Sequence, residues 1–397
     1  MTITTGKQSH FVQLGGVSEV VDRKVDPQQH AGQMYAHYSI PAFDAGEGPT
    51  FELGREIRSA KCEVIDDCVL FSKLNPRIPR VWHIHDHVDI PRICSTEFLV
   101  LQPKPDRIIA TYLTWILQSP MFLQAVRSRV QAATKSRERV PEDVVVSTPI
   151  PVPSLDEQQR IVAKLDEQMA AVDRAEKALA EAQAAASAFT TVALQQVFSG
   201  SESGRWPQVR LGEVAASDLT QVPPDDEFAK DLPYIGMEDI ESQTGRIIAQ
   251  SAHSDVRSNT FAFDERHVLY GKLRPYLNKV ALPESRGRCS TELIPLRPEA
   301  RLDRRYLAWF LRRPETVSAA MQEKTGSRMP RASMKNIGQL HIPLPPLSHQ
   351  RQVVASLERI SAELASLQQH FADQRTDLAV LRSSLLNAAF SGEARHD

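Results

Sequence analysis

The feature that most constrains this chain is a proline-to-helix junction that occurs twice. IPVPSLDEQQRIVAKL at 150–165 is matched by IPLPPLSHQRQVVASL at 342–357. Pro151, Leu155 and Gln158 have identical counterparts 192 residues later, and so does the FSG at 198–200. A constant offset over identities in order indicates an internal duplication, which predicts a molecule with pseudo-two-fold organisation.

The regions upstream of the two junctions also match each other. VLFSKLNPRIPRVW (69–82) parallels VLYGKLRPYLNKVA (268–281), and CSTEFLVLQP (94–103) parallels CSTELIPLRP (289–298). We therefore predict two heads of mixed α/β (α+β) class, each followed by a long helix. The predicted boundaries are head 1 at 1–150, helix 1 at 151–200, head 2 at 201–342, and helix 2 with a tail at 343–397.

The sequence after each junction is typical of a long coiled-coil helix. Ser154 and Glu157 form a predicted capping box at the first start, and Ser348 is the cap expected at the second. Each helix of about 44 residues would be about 66 Å long and would need a partner. The duplication favours antiparallel pairing of the two helices, and a homodimeric coiled coil or two bundle helices is the alternative. The predicted seam residues are Leu165, Val172, Leu179, Phe189, Leu357, Leu364, Phe371, Leu378 and Leu385.

Composition sets the broad class of the protein. The net charge is −2, and the four cysteines form no C-x-x-C pair. No run of about 18 apolar residues is present, and the polar N-terminus lacks a signal-peptide core. We expect a reduced cytoplasmic protein without a membrane span.

Local charge points to DNA although the net charge does not. Nine Lys or Arg against three acidic residues lie in 301–335, and five against one lie in 127–139. The loops at 73–81 and 272–280 add Arg and Asn, which recognise base edges, and Lys, which suits phosphate. The alternative is a pair of solvated turns. The predicted DNA-contacting residues are Lys73, Asn75, Arg77, Arg80, Lys135, Ser136 and Arg137 in head 1, and Lys272, Arg274, Tyr276, Asn278, Lys279, Thr325, Ser327 and Arg328 in head 2.

Other motifs give little sign of catalysis. His83, His85 and His87 would share one face of a strand, but head 2 has no equivalent, so we predict no metal site. No phosphate-binding glycine loop or nucleophile elbow occurs. Glu238 or Asp239, in YIGMEDIESQTG at 234–245, could accept a hydrogen bond from cytosine. The chain is thus predicted to be a non-enzymatic reader of DNA.

The chain resembles the specificity subunit of type I restriction–modification systems, which act in phage defence. The resemblance implies a protein of the bacterial or archaeal cytoplasm that is associated with the nucleoid. The resemblance rests on both P-x-P junctions, on KLNPRIPRVW and KLRPYLNKV, on CSTE in each head, and on YIGMEDIESQTG. It implies two target recognition domains that each read half of a bipartite site in double-stranded DNA. It also implies an antiparallel helix pair that sets the spacer, and docking segments at 154–162 and 348–354.

The same resemblance implies partners that carry the chemistry. Two methyltransferase subunits would bind S-adenosylmethionine, and two restriction subunits could join them and use ATP and Mg²⁺; this chain would hold no cofactor. The sequence leaves open whether a restriction subunit is present. Two alternative functions belong to other classes of protein. One is a coiled-coil scaffold that does not bind DNA, and the other is a metal-dependent enzyme that uses the three histidines.

Overall fold

The computed structural model describes residues 11–85, 88–129, 139–199, 203–227, 231–249, 258–321 and 330–391. The chain divides into unit 1, which comprises 1–179 and 373–397, and unit 2, which comprises 180–372. Both boundaries fall inside the long helices. Among the described residues, no helix combines the length and the apolar character needed to cross a membrane.

Unit 1 contains a head of three sheets. Its strands are β1 (Phe11–Gln13), β2 (Ser18–Val20), β3 (Lys24–Val25), β4 (Met34–Tyr38), β5 (Thr50–Leu53), β6 (Lys61–Glu63), β7 (Cys68–Ser72), β8 (Val81–Ile84), β9 (Arg92–Ser95), β10 (Phe98–Pro103) and β11 (Pro149–Pro151). Its helices are α1 (Leu14–Val17), α2 (Ile40–Asp44), α3 (Ala110–Gln118), α4 (Pro120–Arg127), α5 (Glu142–Val146) and the start of α6 (Leu155–Ser199). The strand orders are β1-β11, β2-β10-β7-β8 and β3-β6-β9-β4-β5.

The apolar run of β10 explains how these sheets stack. Phe98 and Val100 face a core shared with Tyr38 of the five-stranded sheet. Leu99 and Leu101 point the other way, into a core formed with α3, α4 and α6. Alternate side chains of a strand lie on opposite faces, so a strand buried on both faces is apolar throughout.

Unit 2 repeats the strand order of unit 1. Its strands are β12 (Gln208–Arg210), β13 (Ala215–Ser217), β14 (Gln221–Val222), β15 (Tyr234–Ile235), β16 (Thr260–Phe263), β17 (Val268–Gly271), β18 (Val280–Ala281), β19 (Gly287–Ser290), β20 (Leu293–Pro298) and β21 (His341–Pro343). Its helices are α7 (Leu211–Val214), α8 (Arg304–Leu311), α9 (Pro314–Met321), α10 (Met334–Gln339) and the start of α11 (Leu347–Phe390). The orders β12-β21, β13-β20-β17-β18 and β14-β16-β19-β15 correspond to those of unit 1, except that the described residues of unit 2 include no edge strand like β5.

The two long helices begin differently from the prediction in one respect. Ser154 caps α6, because its Oγ accepts from the Glu157 N–H at 3.4 Å and its carbonyl accepts from Gln158. The prediction that Ser348 caps α11 is wrong. The first carbonyl to accept there is that of Pro346, from the Gln350 N–H at 3.0 Å, so Ser348 already lies within the first turn.

Within unit 1, segments of the two long helices pack side by side in opposite directions. Leu165 and Met169 are buried in one core with Leu386 and Phe390. Further along α6, Glu176 accepts a hydrogen bond from Arg382, at 3.2 Å between Oε2 and Nη2. Residue numbers that rise along α6 thus meet numbers that fall along α11, which makes the two segments antiparallel.

Unit 2 contains the other ends of the same helices. Leu194 and Phe198, near the end of α6, are buried with Val354 and Leu357, near the start of α11.

The burial of the predicted seam residues is uneven. Those buried or half-buried are Leu165, Val172, Leu179, Leu357, Leu364, Phe371, Leu378 and Leu385. Phe189 is 52% exposed, so its assignment to the seam is wrong. Met169, which is not among the predicted seam residues, is buried beside Leu165. The alanine-rich middle of α6 offers few markers to choose between neighbouring rows.

Candidate nucleic-acid interface

The predicted loop of head 1 joins β7 to β8 in a turn that its backbone fixes. The Lys73 N–H donates to the Glu97 carbonyl at 2.8 Å, and the Lys73 carbonyl accepts from the Val140 N–H at 2.8 Å. Asn75 has a φ of 51°, in the left-handed region, where Asn is better tolerated than most residues. The loop is therefore a defined turn and not a slack connection.

The structure separates the four predicted contact residues of this loop. Arg77 is exposed and Lys73 is half-buried, so both remain candidates for DNA contact. Arg80 is not, because it donates from Nε and Nη2 to the two carboxylate oxygens of Asp44 at 2.6 and 2.9 Å and its side chain is 11% exposed. This pairing lowers the pKa of the Asp44 carboxyl. The Oδ1 of Asn75 is buried as well, so the turn, and not base reading, accounts for this residue.

The loop of head 2, between β17 and β18, has the same backbone frame. The Lys272 N–H donates to the Glu292 carbonyl at 2.9 Å, as Lys73 does to Glu97. Arg274 has a φ of 52° at the position of Asn75. Arg274 is exposed, Tyr276 is 48% exposed and Lys272 is half-buried. These three side chains remain candidates for DNA contact in head 2.

Two predicted contact residues of head 2 are instead used inside the protein. The Asn278 Nδ2 donates to the Arg312 carbonyl at 2.9 Å, and its Oδ1 is buried. The Lys279 Nζ donates to the Met237 carbonyl at 2.6 Å. In this structure both side chains are engaged inside the head, and their contact with DNA stays a prediction. Their polar groups satisfy buried backbone atoms, which would be costly to leave without partners.

The YIGMEDIESQTG segment supports this loop. Gln243 donates from its backbone N–H to the Leu277 carbonyl at 3.0 Å and from Nε2 to the Tyr276 carbonyl at 3.1 Å. Asp239 is 7% exposed and accepts from the Gly236 N–H at 2.7 Å, so it is not placed to read cytosine. Gly245, at a φ of +69°, approaches the loop so closely that a Cβ would lie 1.8 Å from the Val280 carbonyl.

The second pair of predicted segments lies largely outside the described residues. These are Lys135, Ser136 and Arg137 in head 1 and Thr325, Ser327 and Arg328 in head 2. The structure does describe the chain immediately after them. Arg139 pairs with Leu74 in an isolated antiparallel bridge, and Arg331 pairs with Leu273 in the same way. In both heads, the second segment therefore ends beside the first loop.

Many of the basic side chains at 301–335 already have partners within the protein. Arg313 is 5% exposed and its guanidinium stacks 3.7 Å from the Phe310 ring, while Arg312 donates to the Val280 carbonyl at 2.7 Å. Burial lowers the pKa of each of these two arginines to about 10. Further partners are Glu299 for Arg301, the Pro283 carbonyl for Arg304, and Glu358 for Arg305. Counting charges in the sequence therefore overstates the basic surface available to phosphate.

The glutamine of each junction joins a helix start to its head. Gln158 is fully buried, and its Oε1 accepts from the Ile109 N–H while its Nε2 donates to the Arg107 and Pro153 carbonyls, all at 2.9 Å.

Gln350 makes the same three bonds in unit 2. Its Oε1 accepts from the Asp303 N–H at 2.8 Å, and its Nε2 donates to the Arg301 and Pro345 carbonyls at 2.9 and 2.8 Å. The repeated glutamine is thus a buried structural residue and not a surface contact.

A tyrosine from α3 in unit 1 and from α8 in unit 2 completes each junction. Tyr112 donates to the Pro151 carbonyl at 2.9 Å, and Tyr306 donates to the Pro343 carbonyl at 3.0 Å. The prolines, the glutamine and this tyrosine therefore fix the angle at which each long helix leaves its head. Sequence reasoning found the repeat but did not assign this role to Tyr112 or Tyr306.

The histidine cluster does not form a metal site among the described residues, where no group of three or more potential ligands is close enough to hold an ion. His83 lies on β8 and its Nε2 is 2.8 Å from Asp67 Oδ1. The rings of His83 and His85 are 5.1 Å apart, and His87 lies outside the described residues.

Comparisons with known proteins agree with this architecture. The family model for the type I restriction modification DNA specificity domain matches residues 204–370. The type I restriction enzyme EcoDI specificity subunit of Escherichia coli is 28% identical over 157 residues. That alignment covers 39% of this chain and 35% of the relative, so it spans about a third of the relative's length.

Two solved structures are similar over nearly the whole chain. One comes from work on complex assembly and conformational transition of the type I R-M system; it is 25% identical, has a TM-score of 0.79, and covers 96% of this chain and 97% of its own. The other is the HsdS subunit from Thermoanaerobacter tengcongensis, 25% identical with a TM-score of 0.57, covering 96% of both chains.

This chain has two heads with one strand order, and each leads into a long helix through the same buried joint. The chain is similar to type I restriction–modification specificity subunits, over residues 204–370 in the family model and over 96% of its length in the HsdS structure. The resemblance that the sequence suggested is thereby confirmed.

Proposed function

We propose that this chain is the non-catalytic DNA-reading subunit of a type I restriction–modification complex and that it recognises a bipartite sequence. Head 1 would read one half of the site and head 2 the other. The observation that carries this proposal is that both heads hold one loop frame but expose different side chains on it. Arg77 stands in head 1 where Tyr276 stands in head 2. The base edges in a groove of bound DNA would therefore meet a different side chain in each head.

The long helices would set the distance between the half-sites. Within unit 1 the segments of α6 and α11 pack antiparallel, and within unit 2 the end of α6 packs with the start of α11. This supports a duplicated molecule whose two recognition domains flank an antiparallel coiled coil, with the boundaries given above. Half-site spacing on a duplex is a geometric property, so a rigid spacer of fixed length would select one spacing.

The helix starts would form docking sites for two methyltransferase subunits. In unit 1 a groove lies beside the first junction, and its lining includes the apolar Pro153, Ile161 and Leu165 and the charged Glu157 and Arg160. Segments 154–162 and 348–354 are the proposed contacts. The methyltransferases would supply S-adenosylmethionine chemistry, and restriction subunits would supply ATP- and Mg²⁺-dependent cleavage.

DNA binding as a function of salt separates this proposal from a coiled-coil scaffold without DNA affinity. The chain would be purified with its methyltransferase partner and mixed with a duplex selected from a random pool. A reader should lose affinity steeply between 50 and 200 mM salt, about a thousandfold or more if six or more phosphates are contacted. A complex with no salt-dependent binding to the selected duplex would favour the scaffold.

A single substitution refines the test. Arg274→Ala should reduce binding to the cognate duplex by about 1–3 kcal/mol if Arg274 reads a base edge. Arg359→Ala, an exposed arginine on α11 in the same unit, is the matched control and should bind as the wild type does. Equal loss in both variants would mean that only general charge, and not this loop, is being measured.

A further inference from the structure

The glutamate that ends each CSTE motif holds three parts of a head together. In head 2, the Glu292 N–H donates to Ser290 Oγ at 3.2 Å and its carbonyl accepts from the Lys272 N–H at 2.9 Å. Its carboxylate accepts from Arg331, at 2.9 Å between Oε1 and Nη2. One residue therefore attaches its own turn, the β17–β18 loop and the chain beyond the second basic segment.

Head 1 contains the same joint. The Glu97 N–H donates to Ser95 Oγ at 3.3 Å, and its carbonyl accepts from the Lys73 N–H at 2.8 Å. The Nε of Arg139 lies 3.2 Å from Glu97 Oε2. Both heads thus place an arginine beside this glutamate, with hydrogen bonds in head 2 and with an ion contact but no hydrogen bond in head 1, although the exposed residues of their loops differ.

The backbone around each arginine shows what the ion pair controls. In head 2, Arg274 donates to the Pro330 carbonyl at 2.8 Å and the Ala332 N–H donates to the Lys272 carbonyl at 2.7 Å. In head 1 the Val140 N–H donates to Lys73. Each arginine lies in the backbone bridge that pairs this part of the chain with the first loop, so its placement bears on how that loop is held.

Stability does not account for these pairs. The side chains of Arg331 and Glu292 are 58% and 24% exposed, and those of Arg139 and Glu97 are 56% and 31% exposed. Ion pairs this close to solvent contribute little to folding. An acidic side chain beside a phosphate-binding loop also repels the ligand, so its repeated presence at this point needs another explanation.

We propose that Glu97 and Glu292 are positioning residues that hold the first loop of each head in place for DNA by pairing with Arg139 and Arg331. The inference rests on the proposed function and deepens it, because it assigns half-site discrimination partly to a pair that does not itself read bases. Each pair acts on its own head only.

The test measures discrimination at each half-site separately. Glu292→Gln would be introduced into the full chain, purified with its methyltransferase partner, and assayed on the cognate duplex and on duplexes mutated in one half. Discrimination at the half-site of head 2 should fall roughly tenfold, the effect of losing one well-placed contact, while that of head 1 is unchanged. Glu97→Gln should give the mirror result.

A double-mutant cycle and a control distinguish positioning from other roles. Glu292→Gln combined with Arg331→Gln should be no worse than either alone, because both break one pair. Glu299→Gln breaks the exposed pair with Arg301 at 3.0 Å, which no described contact links to the loop, and should leave discrimination intact.

Four results would overturn the inference. They are additive losses in the cycle, a loss at both half-sites together, a loss confined to one C·G pair that Glu292 would read directly, and discrimination within twofold of the wild type. A wild-type complex without sequence-specific binding would instead defeat the proposed function itself.

Discussion

The buried glutamine of the second junction offers a sharp test of how the long helix is attached. Gln350→Leu keeps the side-chain size but removes one acceptor and both donors. The Asp303 N–H and the carbonyls of Arg301 and Pro345 then lose their partners in a site that excludes water. At about 1 kcal/mol for each of three hydrogen bonds, unit 2 should lose about 3 kcal/mol of stability.

Hydrogen exchange of the full chain is the suitable assay, because a molecule of two units need not unfold in one step. Amides of unit 2 that exchange through unfolding of that unit should exchange roughly a hundredfold faster in Gln350→Leu, while unit 1 is unaffected. Gln158→Leu should reverse the pattern. Gln352→Leu, at an exposed position two residues along α11, is the control. A Gln350→Leu variant within 0.5 kcal/mol, or about twofold in exchange rate, of that control would refute the reasoning.

Three further predictions concern the helices and the first loop. Met169 is 2% exposed and Phe189 is 52% exposed. In chemical denaturation, Met169→Ala should therefore lower the free energy of unfolding by about 2–5 kcal/mol and Phe189→Ala by under about 0.5 kcal/mol. A larger loss in Phe189→Ala than in Met169→Ala would refute the inclusion of Met169 in the seam. Deleting one heptad from each long helix removes about 10 Å, so methylation mapping should show a spacer shorter by about three base pairs with both half-sites unchanged; altered half-sites would contradict the spacer role. Arg80 lowers the pKa of Asp44, so the stability this pair adds is present above the unfolded pKa and is lost as pH falls through the lower folded value. The melting-temperature difference between wild type and Asp44→Asn should therefore be largest at neutral pH and narrow below about pH 4, and a constant difference would contradict the ion pair.

The sequence was most informative where the chain repeats itself. Pro151 and Gln158 recur at a fixed offset, and the structure shows why, because they form one buried joint with Tyr112. Strand β10 was recognisable as part of a matched apolar stretch. Such features follow from local geometry and burial, which residue type and spacing report directly.

The direction of long polar side chains was not predictable. Arg80, Asn278 and Lys279 have the residue types of DNA readers, yet each satisfies an acceptor within its own head. The choice depends on a carboxylate or carbonyl that distant residues place within about 3 Å, and no local pattern records it. Had the pairing of Asp44 with Arg80 been visible in the sequence, Arg80 would have been left out of the predicted DNA contacts of that loop.

The assignment of Phe189 failed for a different reason. Residues three and four apart lie on the same helix face, so a heptad pattern leaves two neighbouring rows in competition. Large side chains usually decide between them, but α6 is rich in alanine over this stretch. The aromatic ring was therefore placed in the wrong row.

The central claim is that this chain alone specifies which DNA sequence its complex modifies. The most direct measurement is single-molecule mapping of the methylome in a methylation-deficient host that co-expresses the chain with its methyltransferase partner. The account predicts a bipartite motif with N6-methyladenine on both strands, lost when this chain is omitted. A complex that assembles and binds S-adenosylmethionine but leaves no motif, or a motif that persists without this chain, would contradict it.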